Sequence, residues 1–474
     1  MSPGDSSPPL EALNRLRDIV GPKGWKSAPV DTAPYLEEPR KRWVGQTPLV
    51  VLPKSIAEVA ALVQVCAAHQ IAIVPQGGNT GLVGGQIPTG REIVLSLSRL
   101  SRLRNLDTIN NTVTAEAGCV LATLKNEADK ANRLFPLSLA SEGSCQLGGL
   151  LSTNAGGNAV LRYGTMRDLV LGLEVVTPQG EIWNDLKGLR KDNTGYDLKQ
   201  LYIGAEGTLG VITGATCKLF PRPREVLTAF VAIDRLDAAI ALFNLARESS
   251  GEMISAFELI PRQGLDLVFT HIAAAKDPFL QAQTWYVLIE LSSSQPGSLL
   301  RDHAETLLKK ALSKSIIEDA VIAESQRQKQ DLWALRECLP DAQTMEGVSL
   351  KHDISVPVSA IADFIDQATQ AAQKLIPNIR PVPFGHIGDG NVHFNLMQPI
   401  GMDAATYLAA RDEIAECIYD ITHSLGGSIS AEHGLGLAKK DQILSYKSPV
   451  EMALMRTIKQ ALDPNNIMNP GKML

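Results

Sequence analysis

The chain has 474 residues, 45% of them hydrophobic and 20% charged, which is enough apolar material for a sizeable core and excludes both a small module and wholesale disorder. Forty-five Lys and Arg face 51 Asp and Glu, for a formal charge of −6, and no long basic run is present to track a phosphate backbone, which argues against nucleic acid as a partner. Apolar stretches stop at about ten residues, half a membrane span, and the start, MSPGDSSPPLEALNRLRDIV, carries neither a cationic lead nor a sustained apolar core of a secretion signal. The six cysteines are scattered without CxxC pairs, a pattern suited to free thiols and a cytoplasmic address.

In chain order, Val50 to Leu97 alternates as strand, helix, strand, with Ser55 and Glu58 spaced as a capping box ahead of Ile56, Val59, Ala60, Val63 and Ala67. The strand Ile71 to Val74 runs into PQGGNTGLVGG (Pro75 to Gly85), and Ile93 to Leu97 follows. Thr112 to Ala117 reads as a strand and Leu121 to Leu134 as a helix, before a second glycine-rich loop, GGLLSTNAGGNAVLRYG, from Gly148 to Gly164. Leu169 to Thr177 and Glu181 to Trp183 read as a hairpin about Pro178-Gln179-Gly180, and GAEGTLGVIT at Gly204 is a third glycine-rich stretch. PRPRE, Pro221 to Glu225, marks the domain boundary.

Beyond it, strands at Thr228 to Ile233, Met253 to Leu259 and Trp285 to Leu291 alternate with helices at Leu236 to Glu248 and Ser298 to Leu312. A strand and helix pair over Ala320 to Arg336, a strand at Val348 to Ile354, a helix at Val358 to Leu375 and a strand at Pro381 to His386 predict an α+β domain of open sheet with helices on one side. A long helical pattern, Ala404 to Leu425, and a tail ending LDPNNIMNPGKML close the chain.

The first loop places five glycines in eleven positions, and backbone N–H groups bare of Cβ are what close approach to a pyrophosphate requires. It is neither GxGxxG in a Rossmann setting nor a P-loop, so kinase or ATPase chemistry loses support.

Four of eight histidines, His386, His393, His423 and His433, lie in the last 89 residues. In FGHIGDGNVHF the Asp389-Gly390 pair predicts a two-residue hairpin, in which directly opposed residue numbers add to 779, as those of His386 and His393 do. The two imidazoles would share one face at about 5 Å, close enough to bind one cation or simply to be hydrogen-bonded within a sheet. SAEHGLG offers Glu432 and His433 between small residues, a carboxylate ligand and a base if Gly434 and Gly436 bend the chain, or an exposed loop if they do not. Arg336 and Lys351 are cations suited to a carboxylate or to ordinary ion pairs. Cys145, with no histidine nearby in sequence, reads as a small buried hydrophobe.

Taken in order, PQGGNTGLVGG, GGLLSTNAGGNAVLRYG, DNTGYDLKQLYIGAEGTLGVIT, GHIGDGNVHFN, SAEHGLG and LDPNNIMNPGK resemble the FAD-linked D-2-hydroxy-acid dehydrogenases of the vanillyl-alcohol oxidase superfamily, the D-lactate and D-2-hydroxyglutarate type, over nearly the whole chain. The resemblance implies an α+β fold with a helical lead (1–40), a two-subdomain FAD-binding domain (41–222), a substrate domain (223–425) and a C-terminal segment returning to the flavin (426–474). It implies noncovalent FAD held by Pro75, Gln76, Gly77, Gly78, Asn79, Thr80, Gly81, Gly84 and Gly85 at the pyrophosphate. Gly148, Gly149, Asn154, Gly156, Gly157, Gly164, Glu206, Gly210, Ile212 and the asparagine of the closing Asn469-Pro470 pair would line the remainder.

By the same likeness, His386, His393 and Glu432 bind zinc or a similar divalent metal, His433 is the catalytic base, and Arg336, Lys351, Asn395 and His433 contact substrate. One departure stands out: where hydroxyglutarate-type relatives have a threonine four residues after the arginine, this chain has Pro340, which offers no hydroxyl and leaves D-lactate and D-malate open beside D-2-hydroxyglutarate. A second acceptor, such as a quinone, an electron-transfer flavoprotein or oxygen, would reoxidise the flavin, with nothing in the sequence choosing among them, and a homodimer is compatible with the likeness. The rival expectations are a metal-free superfamily oxidase and an FAD-bearing subunit without its own turnover.

Overall fold

The computed structural model describes residues 8–295, 297 and 299–474; Met1 to Ser7 of the expected lead and the expected helix start at Ser298 lie outside the described residues. Contacts divide the chain into two units, one of residues 1–157, 164–222 and 432–474, the other of residues 158–163 and 223–431.

In the first unit, the helix Ile56–His69 begins where Ser55 accepts from the Glu58 amide. The expected box is half made, because the Glu58 carboxylate accepts from Lys54 N instead. Val59, Leu62, Val63 and Cys66 bury one face of this helix against Ile73, Ile93 and Leu95. Val50–Val51, Ile93–Ser96 and Ile73–Gln76 pair in parallel, the arrangement expected of strands joined by a crossover helix. Met468 bridges to the open edge at Ile73, so the chain's closing segment extends this small sheet.

The second subdomain is a five-stranded antiparallel sheet in the order Leu103–Asp107, Thr112–Glu116, Val211–Lys218, Val170–Val176, Ile182–Asp185. The last two form the expected hairpin, Thr177 N donating to Glu181 O across the turn. The expected helix to Leu134 stops at Lys130, because Arg133–Leu134 pairs as a strand with Phe220–Pro221. The second glycine loop opens with a helical turn, Leu147–Ser152, containing Gly148 and Gly149.

The second unit holds an antiparallel sheet, Ile254–Pro261, Trp285–Ser293, Glu225–Ile233 and Asp319–Ile322. Ser349–Ser355, Asn391–Met397 and Arg380–Phe384 form a second one. Phe230, Tyr286, Leu288, Leu332, Leu335, Leu339 and Val382 form one core under these strands and the helices Arg262–His271, Gln326–Glu337 and Leu339–Glu346. The predicted helix over Ala404 to Leu425 is broken at Ala410 into Ala404–Ala409 and Arg411–Ser424. The tail hides a full helix, Pro449–Leu462, opened by a Ser448 and Glu451 capping box.

The expected register of the histidine hairpin is corrected. Phe384, not His386, stands opposite His393, and opposed numbers add to 777. The strand ends at Phe384 because Gly385, at φ +151°, turns away to exchange both backbone hydrogen bonds with Leu259 of the neighbouring sheet. Asp389-Gly390 therefore closes a six-residue connection rather than a two-residue turn, and Gly390 is required there because a Cβ would lie 2.3 Å from Val356 O.

Candidate functional site

In the first unit the loop after Ile73–Gln76 lies against the second glycine loop. A Cβ on Gly78 would stand 2.1 Å from Ser144 O, and one on Gly77 would be 3.5 Å from the Gln146 Cβ. Gly148 is held as tightly, its virtual Cβ 2.9 Å from that of Ala117. Asn79, at φ +55°, donates through Nδ2 to Pro34 O and Glu37 O, each at 2.9 Å, and Gln76 Nε2 donates to Tyr35 O and Gln86 O. That spends their donors and leaves Gln76 Oε1, Asn79 Oδ1 and Gln146 Oε1 buried without a hydrogen-bond partner. Bare glycine backbone with orphaned acceptors fits a ligand that brings its own N–H and O–H groups, as FAD does.

The other expected flavin positions divide by what their side chains do. Thr80, Gly81, Gly84 and Gly85 belong to the first loop, Pro75 to the strand that leads into it and Gly149 to the helical turn Leu147–Ser152, while Ile212 is buried in the strand that follows Gly210. Gly156 and Gly157 follow Asn154, whose Oδ1 accepts from Arg167 N, and Gly164 stands against Asp168. Asn469 donates to Gly85 O and Glu206 O ahead of Pro470. Glu206 accepts from the amides of Leu435 at 2.7 Å and Gly436 at 2.8 Å, and burial pushes its carboxyl up against these two donors. Asn154, Glu206 and Asn469 thus brace the loops with the groups that sequence likeness would direct at a cofactor. Cys145 is buried, with its thiol pushed up by burial, as a small hydrophobe would be. All six cysteines are free.

In the second unit the antiparallel ladder aligns Asp353 with His393 and Lys351 with Asn395, two successive pairs on one face. Asp353 Oδ1 lies 3.7 Å from His393 Nδ1 and accepts from Asn391 Nδ2 at 3.0 Å. Asn395 donates to the Oε1 of the fully buried Gln343 at 2.8 Å. Although the register differs from expectation, His386 and His393 still come together, ring centroids 5.5 Å apart and edge to face. His386 is held by a residue the sequence reading missed: Glu258 Oε1 accepts from its Nδ1 at 2.6 Å, while Glu258 Oε2 accepts from Arg336 Nε at 2.8 Å. Burial would raise the Glu258 carboxyl, but His386 and Arg336 hold it at about 2. The sequence signal was a lone acid in ISAFELIP, a strand buried on both faces with no solvent side to receive it.

Glu432 is the residue at which the chain passes from the second unit to the first. Just before it, the Ala431 amide donates to Asp353 O at 3.4 Å, beside the His393 pair. Its own Oε1 accepts from Gly157 N at 2.9 Å. Gly434 and Gly436, at φ +81° and +50°, supply the bend after His433 that the sequence reading required. His386, His393 and Glu432 carry the nitrogen and oxygen donors that could hold a metal ion.

Comparison with known proteins matches residues 47–185 to the FAD binding domain family and 222–473 to the family of FAD linked oxidases, C-terminal domain. The chain is 37% identical to a mitochondrial D-2-hydroxyglutarate dehydrogenase of Arabidopsis thaliana over 98% of its own length and 81% of the relative's. It is 36% identical to a D-2-hydroxyglutarate dehydrogenase of Xanthomonas citri pv. viticola over 97% and 96%. Among solved structures, p-cresol methylhydroxylase shares the fold with a TM-score of 0.77 at 16% identity, covering 98% of this chain and 96% of that one. An alkyldihydroxyacetonephosphate synthase does so at 0.73 and 19%, covering 100% and 86%. Both show an α+β architecture of the vanillyl-alcohol oxidase type.

Proposed function

We propose that this chain, which belongs to the FAD-linked D-2-hydroxy-acid dehydrogenases and is an FAD-dependent oxidoreductase acting on a CH–OH group, oxidises a D-2-hydroxy acid bearing a second carboxylate, D-2-hydroxyglutarate first among them. The observation that carries this substrate class is the pair of cations built into one unit, Arg336 anchored on Glu258 and Lys351 aligned with Asn395. The relatives' names point the same way. Pro340 supplies no hydroxyl, so the carboxylates would rest on Arg336, Lys351 and Asn395.

FAD bound noncovalently at the two facing glycine loops supplies the two-electron sink for the C2 hydride. His386, His393 and Glu432 would hold a divalent ion such as Zn²⁺, which would supply Lewis acidity when bound. His433 accepts the hydroxyl proton, and Arg336 and Lys351 hold the carboxylates so that C2 is presented in one orientation. The product is the 2-keto acid.

The test is anaerobic addition of D- and L-2-hydroxyglutarate, malate and lactate to the flavin-loaded protein, before and after chelation, following bleaching of the flavin band. Bleaching by the D-acids alone, fastest with hydroxyglutarate and lost on chelation, is the expected result. Full turnover of metal-free protein rejects the metal role and favours a superfamily oxidase; no bleaching by any acid rejects the dehydrogenase. His433→Ala should retain FAD and lose bleaching, and full activity in that variant removes His433 as the base.

A further inference from the structure

Glu258 is 1% exposed and has no solvent to stabilise its charge, so its two oxygens must be served by protein donors. They are served by two groups of different function: His386, a metal-ligand candidate, and Arg336, a substrate-binding candidate. The contact with Nδ1 fixes the imidazole tautomer and leaves Nε2 as the ring's lone-pair nitrogen, the arrangement in which a histidine ligates metal while a carboxylate holds its other face. The contact with Nε sets the plane of the Arg336 guanidinium, whose Cζ lies 4.7 Å over the Phe384 ring. Phe384 is in turn 5.2 Å from the His393 ring, and His393 5.5 Å from His386. The circuit Glu258, His386, His393, Phe384, Arg336 closes on itself within one unit.

We infer that Glu258 is a positioning residue that fixes a metal-binding imidazole and a substrate-binding guanidinium with one carboxylate, so that metal affinity and substrate affinity depend on the same side chain. The inference rests on the metal reading proposed above. Gln at this position keeps the volume but offers a single acceptor, which cannot serve both donors, and its NH₂ group faces one of them.

The experiment measures Zn²⁺ affinity by competition with a chromophoric chelator, and KM and kcat for D-2-hydroxyglutarate, on flavin-loaded protein whose visible spectrum reports retained FAD. For Glu258→Gln the expected result is a fall in Zn²⁺ affinity of about 10- to 100-fold together with a rise in KM of at least about tenfold. Arg336→Met should raise KM while leaving Zn²⁺ affinity within about threefold, because His386 keeps its carboxylate. Glu258→Asp keeps the charge and should restore part of both losses, a rescue that a merely space-filling residue would not show, and it carries the test if the glutamine variant does not fold. Unchanged Zn²⁺ affinity in both Glu258 variants, or a change in one parameter without the other, overturns the inference. Wild-type protein that binds no Zn²⁺ rejects the underlying metal reading, a result distinct from a loss confined to the variants.

Discussion

The side chains that read plainly in the sequence are those whose chemistry is unusual for their surroundings in the chain: His386 and His393 around a glycine turn, Glu432 and His433 between small residues, Arg336 on an amphipathic helix. Glu258 stood out only as a lone acid in an apolar strand, and its role was not legible because its partners are 78 and 128 residues away and only the fold brings them together. Lys351 shows the complementary case, a single cation whose meaning comes from its pairing with Asn395. If Lys351 binds the distal carboxylate, Lys351→Met removes a charge-assisted contact of about 1.5–3 kcal/mol, which is about 10- to 100-fold in kcat/KM for D-2-hydroxyglutarate. D-lactate, which has no distal carboxylate, should change by less than about threefold in the same variant. Equal losses for both acids would place Lys351 elsewhere in the site.

At the level of elements, strand and helix periodicity was legible wherever pairing is local, as in the Val170–Val176 and Ile182–Asp185 hairpin, and failed where a distant strand competes. The histidine hairpin slipped because Leu259 offers Gly385 two backbone hydrogen bonds that a tight turn would forgo, and the Leu121 helix was cut short by the strand at Phe220. The five-stranded sheet contains a device of the same long-range kind. Gly214 stands opposite Glu116 on one side and Glu174 on the other, both nearly fully buried, and Arg104 reaches both carboxylates from the edge strand. Arg104 meets Glu174 with two nitrogens at 2.9 and 3.1 Å and Glu116 at 3.4 Å.

Arg104→Met leaves Glu174 without its arginine and should destabilise by about 3 kcal/mol at neutral pH, near the lower end for breaking a buried pair because the arginine is a quarter exposed. Burial raises the Glu116 carboxyl, but Arg102 and Arg104 together hold it below the usual range. A depressed carboxyl contributes stability that is present above its unfolded value, near 4.3, and is lost as pH falls through the folded value. Denaturant titrations from pH 7 to pH 3 should therefore show the wild type losing more stability than the variant as pH falls through the range in which Glu116 takes up its proton, so that the gap between them narrows toward low pH. A gap independent of pH would mean that Arg104 acts by packing alone.

For the whole molecule, the free thiols fit any reducing compartment, so cysteine spacing could not choose between the cytoplasm expected from the sequence and the mitochondrion in the plant relative's name. No helix among the described residues is long and apolar enough to cross a membrane. The return of the closing segment was expected from the family resemblance, not from periodicity or spacing. Residues 432–474 pack with the glycine-loop unit, from which more than 200 residues of sequence separate them, and they do so through Ile467 and Met468 in its apolar core and through polar clasps. Asp463 accepts from the amides of Ile467 and Met468, and Lys459 Nζ donates to Thr208 O and Met468 O. Asn469 reaches Gly85 O, and Glu206 takes the amides of Leu435 and Gly436. Of these, Glu206 is the clasp on the bend that follows His433. Glu206→Ala would leave two backbone N–H groups unserved, each costing about 1–3 kcal/mol, and that cost falls on the bend rather than on the cores of either unit. Limited proteolysis should then cut the variant between residues 432 and 442 many times faster than the wild type, while global unfolding in denaturant shifts less than that local opening. Unchanged protection of this segment would show that the remaining clasps hold it without Glu206.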